Sequence, residues 1–343
     1  MNGPAIPPAI APTMARGGGL LLSVAEAAER LRSGRFHTVA ADEDALRQLP
    51  AGNWIGGSIP YFMGPDGGEV TRDKVFLTEI RGYRGAPEIR RYDLRGINRV
   101  CADAPENGWS LIIVPAFSAL HSAFAHDAPD YVDMYSRPLA GWVAGVHLDD
   151  LGKRAPVVVD GRSLHFDREA AMVMHIALPP DRYARVDTVN VFAPGAGESI
   201  RFPNSGFLVA DCSIDGQPTR FADWLTQRKF DTRLPLVANY CGASINVSIK
   251  RIDAAKGLVE LYAPVFEGTE YRFAAPVRDY VGAFRAALPG DATAPAFSCN
   301  CILNYLYSSL EGQRTGPMTG PITFGEIAYQ LVNQTLVHVT IEG

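Results

Sequence analysis

A chain of 343 residues, 47% hydrophobic and 20% charged, is long enough for two packed halves or one large unit and apolar enough to bury a sizeable core. Its formal charge of −5, with Lys and Arg scattered along the chain, excludes the basic stripe that a nucleic-acid partner requires. Apolar runs stay shorter than the roughly 18 residues of a membrane-spanning helix, so no membrane partner is expected.

In chain order, residues 1–19 are rich in Pro and Gly and read as a flexible leader, Arg16 coming after the apolar stretch and not before it as in a secretory signal. Ser23 and Glu26 have capping-box spacing ahead of a helix that Gly34 stops, and a short helix follows over 42–49. Strands are expected at 53–60 and 74–83. The Arg-rich stretch after them (Arg81, Arg84, Arg90, Arg91, Arg95) is interleaved with Glu79, Glu88 and Asp93 and reads as a solvated face. SLIIVPAF (110–117) reads as a buried strand feeding a helix over 118–126. Asp160-Gly161 signals a two-residue hairpin turn within 156–179, whose far limb ends in a buried central strand.

The loop-rich stretch 190–206 marks a boundary, giving halves at 20–190 and 191–343. Beyond it come a strand, an Asp215-Gly216 turn and a helix, then several strands over 235–273. A helix at 276–288, a strand-to-helix unit at 296–312 and a last strand QTLVHVTI complete the pattern. The fold class expected is α+β: two mixed sheet-and-helix halves packed together, largely antiparallel strands flanked by helices. An odd number of cysteines (Cys101, Cys212, Cys241, Cys299, Cys301) points to free thiols in a reducing cytoplasm.

Several blocks resemble the FIST sensory family, in that family's order, over roughly 35–343. They are the Gly-rich segment and hairpin beginning at PLAGWVAGV, the stretch ending in Asp215-Gly216 and Pro218, and the FSCNCILN strand. The closing motif carries Gly320, Thr323, Phe324, Gly325, Glu326, Asn333, Gln334 and Thr335. The resemblance implies a small-ligand-binding sensory module, here without an output domain and signalling through a separate protein partner. Some relatives bind haem and report nitric oxide. The chain departs from the pattern where an Arg commonly follows the Cys of FSC, for Cys299 leads into Asn300, Cys301, Ile302, Leu303 and Asn304. GNWIGGSIPYFM is also more aromatic than the family's small-residue run.

Candidate chemistry centres on a pocket lined by Trp54, Trp142, Cys299, Asn304 and Glu326, since aromatics beside glycines suit a flat or apolar ligand. Cys299 and Cys301 share a strand face, which suits buried thiols, a soft-metal pair or a dithiol. His147, between a Gly-rich segment and Asp149-Asp150, is the candidate haem ligand, whereas His121 and His126 are five apart and give no common helix face. Neither a phosphate loop nor a nucleophile elbow is present. Three readings stand: a ligand-binding sensor, a haem-based gas sensor, and an enzyme for a small metabolite using Glu326 as general base with Cys299 or Cys301.

Overall fold

The computed structural model describes residues 18–240, 243–288 and 295–343, so Cys241 and all but the last two residues of the expected leader lie outside the described residues. The chain is 41% strand and 16% helical, which makes it mostly sheet and not the balanced α+β expected. Among the described residues, four six-stranded sheets and one of three strands carry it.

The first sheet runs Leu20–Ser23, Lys74–Glu79, His37–Ala41, Trp54–Ser58, Val158–Asp160, His165–Asp167. The second runs Gln330–Val332, Glu326–Ala328, Leu139–Ala144, Gly108–Pro115, Ala171–Ala177, Glu88–Tyr92. The third runs Tyr183–Val189, Leu336–Glu342, Phe297–Cys301, Gly320–Thr323, Tyr61–Gly64, Gly67–Val70. Strands from both sides of residue 190 therefore share the second and third sheets. The fourth and fifth sheets are built from residues 200–273 alone.

Continuous apolar runs become strands buried on both faces. In Ala171–Ala177, Met172, Met174 and Ile176 enter one core while Ala171 and Val173 enter another. Gly108–Pro115 divides its residues the same way, Trp109, Leu111 and Ile113 against Ile112 and Val114.

Local signals act as chemistry dictates. The Ser23 hydroxyl accepts the Glu26 N–H, and the Glu26 carboxylate accepts the Ser23 N–H at 2.9 Å, starting the helix Val24–Leu31. Asp42 caps Glu43–Leu46, and Ser118 caps Ala119–Asp127. Asp215 and Gly216, with φ of 47° and 82°, join Ile214 directly to Gln217 in the tight hairpin expected.

Asp160-Gly161 behaves differently. The strands Val158–Asp160 and His165–Asp167 are joined through residues 161–164, and Leu164, with φ of 53°, is the left-handed residue. Gly161 is needed for another reason: a Cβ there would lie 2.2 Å from the Trp54 indole. The far limb also splits, its second part crossing to the middle of the second sheet.

Candidate functional site

Among the described residues, three pairs of neighbouring strands run parallel: His37–Ala41 with Trp54–Ser58, Gly108–Pro115 with Leu139–Ala144, and Phe297–Cys301 with Gly320–Thr323. Parallel strands put their carboxyl ends on one side, where side chains of the following segments converge. The last two pairs open onto a shared cavity of about 700 Å³. Ala116, Phe117 and Leu148 reach it from the first of these pairs, and Ile302, Leu303 and Phe324 from the second.

Phe117 stands at the corner between strand and helix with φ of 66° and is 58% exposed, its ring edge-on to Phe324 at 6.0 Å. A left-handed backbone at a bulky residue stores strain, and such residues cluster at ligand sites. One helical turn on, His121 lines the same cavity. Its Nδ1 accepts the Phe117 backbone N–H at 3.4 Å, so Nε2 carries the proton; Nε2 is shielded from solvent and has no hydrogen-bond partner among the described residues. Burial holds this imidazole down to about 4 and therefore neutral at pH 7. Asn333 also lines the cavity; its amide donates to the Val332 carbonyl at 3.3 Å, and its Oδ1 is buried without a partner.

Behind the wall formed by Leu303, Phe324 and Asn333 lies a sealed polar cluster. Glu326 is 0% exposed; its carboxyl oxygens meet the Thr323 hydroxyl at 3.2 Å and the Thr335 hydroxyl at 3.3 Å. Burial pushes its pKa well above the ordinary carboxyl value, which favours the uncharged acid. The Cys301 thiol adjoins it, and Cys299 donates to the Gly141 carbonyl at 3.3 Å. Burial pushes both thiols up, which keeps them protonated. Asn304 donates to Asn300 at 3.0 Å, and the Tyr280 hydroxyl lies beside both amides.

Of the five pocket residues expected from sequence, the structure brings Cys299 and Glu326 into this cluster. Asn304 extends it through Asn300, and Trp142 is the cross-strand neighbour of Glu326. All four are buried behind the cavity wall and do not line it. Trp54 stands apart, in the core beneath the first two helices with Leu31 and Leu46, its Nε1 donating to the Pro50 carbonyl at 3.0 Å. The cavity's own polar residues, His121, Asn333 and Lys250, were missed as a group because they come from three distant segments. The signal for His121 was present: a buried strand, a capping Ser118, and a polar residue three positions on, aimed back at the strand end.

His147 stacks on Tyr61 at 5.6 Å, and its Nδ1 accepts the Asp149 N–H at 3.2 Å. His147, the candidate haem ligand, does not line the cavity, and the structure does not bring it together with the other candidate site residues. Nor do the described residues contain a group of three His, Cys, Asp or Glu side chains placed to hold a metal ion.

Residues 22–342 match the model of a family of unknown function, DUF6976. The chain belongs to this family of unknown function. No curated protein matches the sequence. The DUF6976 match takes in the residues of the cavity, its wall and the cluster behind it. No helix among the described residues is long and apolar enough to cross a membrane.

Proposed function

We propose that this DUF6976 protein is a small-ligand-binding protein of the FIST sensory type, taking its ligand in the cavity at the carboxyl ends of the two parallel strand pairs and signalling through a separate protein. One observation carries the reading: an apolar-walled space of about 700 Å³, within the size range of small-molecule sites, lined by His121 and Asn333, whose buried Nε2 and Oδ1 have no hydrogen-bond partner among the described residues. Buried polar atoms without partners are costly, and a ligand that supplies them is held by that cost. The sealed cluster supports the wall, because Glu326 ties Thr323 to Thr335 and so fixes the neighbouring Phe324 and the strand end leading from Asn333.

The enzyme and haem alternatives have less behind them, since neither Glu326, the general base of the first, nor His147, the ligand of the second, lines the cavity.

A thermal-shift screen of small metabolites on the full chain tests the proposal. Ligands at a hundred times their Kd should stabilise the protein by about 2.7 kcal/mol, a readily measured rise in Tm. A broad screen that never moves the Tm, with Leu303→Trp filling the cavity and leaving Tm and fold unchanged, would sink it.

A further inference from the structure

We infer that the ligand is an apolar carboxylate, with its anionic head between His121 and Lys250 and its aliphatic or aryl body along Leu148, Leu303 and Phe324. The inference rests on the small-ligand reading above and names the chemistry of what that site accepts.

The head group follows from donors and charge. His121 offers an Nε2–H donor with no acceptor among the described residues. Lys250 lies on the same side of the cavity, its ammonium 5.9 Å from the centre of the Phe117 ring. Its carboxylate neighbour, Glu260 at 3.5 Å, is shared with Arg251, so two cations face one acid and a positive excess remains. Lys153, at the rim, donates to the Asp149 carbonyl and forms no ion pair among the described residues. Arg154 and Arg168 also reach the cavity, yet Asp44 and Glu43 hold them at 2.9 and 2.8 Å. Glu169, exposed at the rim, is the one acid on the lining. A cationic ligand would therefore meet four positive groups on the lining, two of them held by carboxylates, and a single exposed acid. An anion meets a neutral donor and a partly compensated ammonium, a pairing that gives charge-assisted hydrogen bonds.

The body follows from the walls. Leu148, Ile302, Leu303, Leu306 and Phe324 present only carbon to the space. Burying a methylene there is favourable by an amount that corresponds to roughly fourfold in affinity.

Calorimetric titration of the full-length chain with octanoate, 1-octanol and octylamine separates the parts of the claim. Octanoate should bind at least tenfold more tightly than either neutral or cationic counterpart, and from hexanoate to decanoate each methylene should tighten binding two- to fourfold. Lys250→Met and His121→Leu should each weaken octanoate at least fivefold more than they weaken octanol. Equal binding of octanoate and octanol, or preference for octylamine, would overturn the carboxylate assignment and leave the small-ligand reading standing. Failure of all three probes, alongside a metabolite screen without a hit, would overturn both. Should a variant unfold, the head-group series on the unaltered chain still decides.

Discussion

Glu326 sits among hydroxyls and thiols, and its protonated state has a measurable consequence. In the unfolded chain its carboxyl ionises near the ordinary 4.5, whereas in the fold burial holds the proton to much higher pH. The stability this neutral acid contributes is complete below the unfolded value and declines as pH rises towards the folded one. The decline relative to Glu326→Gln, which cannot ionise, should be about 1.4 kcal/mol per pH unit. Chemical denaturation at pH 5 and pH 8 should therefore show the Gln variant gaining on the wild type at the higher pH. Glu326→Ala, which takes the carboxyl partner from the Thr335 hydroxyl and leaves a void, should cost about 2 kcal/mol or more at pH 5 and less at pH 8.

His175 has the opposite sign. It is clamped between the Ser110 hydroxyl at 2.7 Å and the Tyr92 hydroxyl at 2.8 Å, and burial, with help from Arg90, lowers it to about 4. Its contribution is present above 6.5 and is lost as pH falls towards 4, so Tm should drop less over that interval in His175→Gln than in the wild type.

At the scale of elements, sequence reading was good where a signal is local. The capping box at Ser23, the tight turn at Asp215-Gly216 and the strand-to-helix units at 110–126 and 296–307 each depend on neighbours in the chain. Asp160-Gly161 shows the limit. The same dipeptide serves a turn in one place and, in the other, the close approach of an indole from a strand a hundred residues away. Strand partners were less legible still, because the apolar runs 108–115, 139–144 and 171–177 carry no mark of order or direction. Gly141 records such a partner indirectly. It lies opposite Ile112 in the parallel pair, and a Cβ on it would fall 1.9 Å from the Ile112 carbonyl oxygen. Gly141→Ala must part the strands that open onto the cavity. It should destabilise by about 3 kcal/mol or more, read as a lowered denaturation midpoint with unchanged slope.

For the whole molecule, the closing motif was legible as a motif and the cavity was not. Thr323, Glu326 and Thr335 lie within one stretch of thirteen residues, and their meeting needs only a bend. His121, Lys250 and Leu303 meet only after three sheets have assembled. The halves expected at 20–190 and 191–343 share two of those sheets: Tyr61–Gly64 pairs with Gly320–Thr323, and Leu139–Ala144 with Glu326–Ala328. Amide exchange should accordingly protect Phe62, Trp142, Cys299 and Val337 to the same degree, as one cooperative unit, despite their separation in the chain.

That exchange of strands makes the last fifth of the chain a clasp. Until it is synthesised and docked, Tyr61–Gly64 and Leu139–Ala144 each keep a bare edge, and such edges recruit other chains. Pairings so distant also fold slowly. Cutting the polypeptide in the loop-rich stretch near residue 195 should consequently leave two fragments that travel together on a sizing column, whereas the first fragment expressed by itself should aggregate.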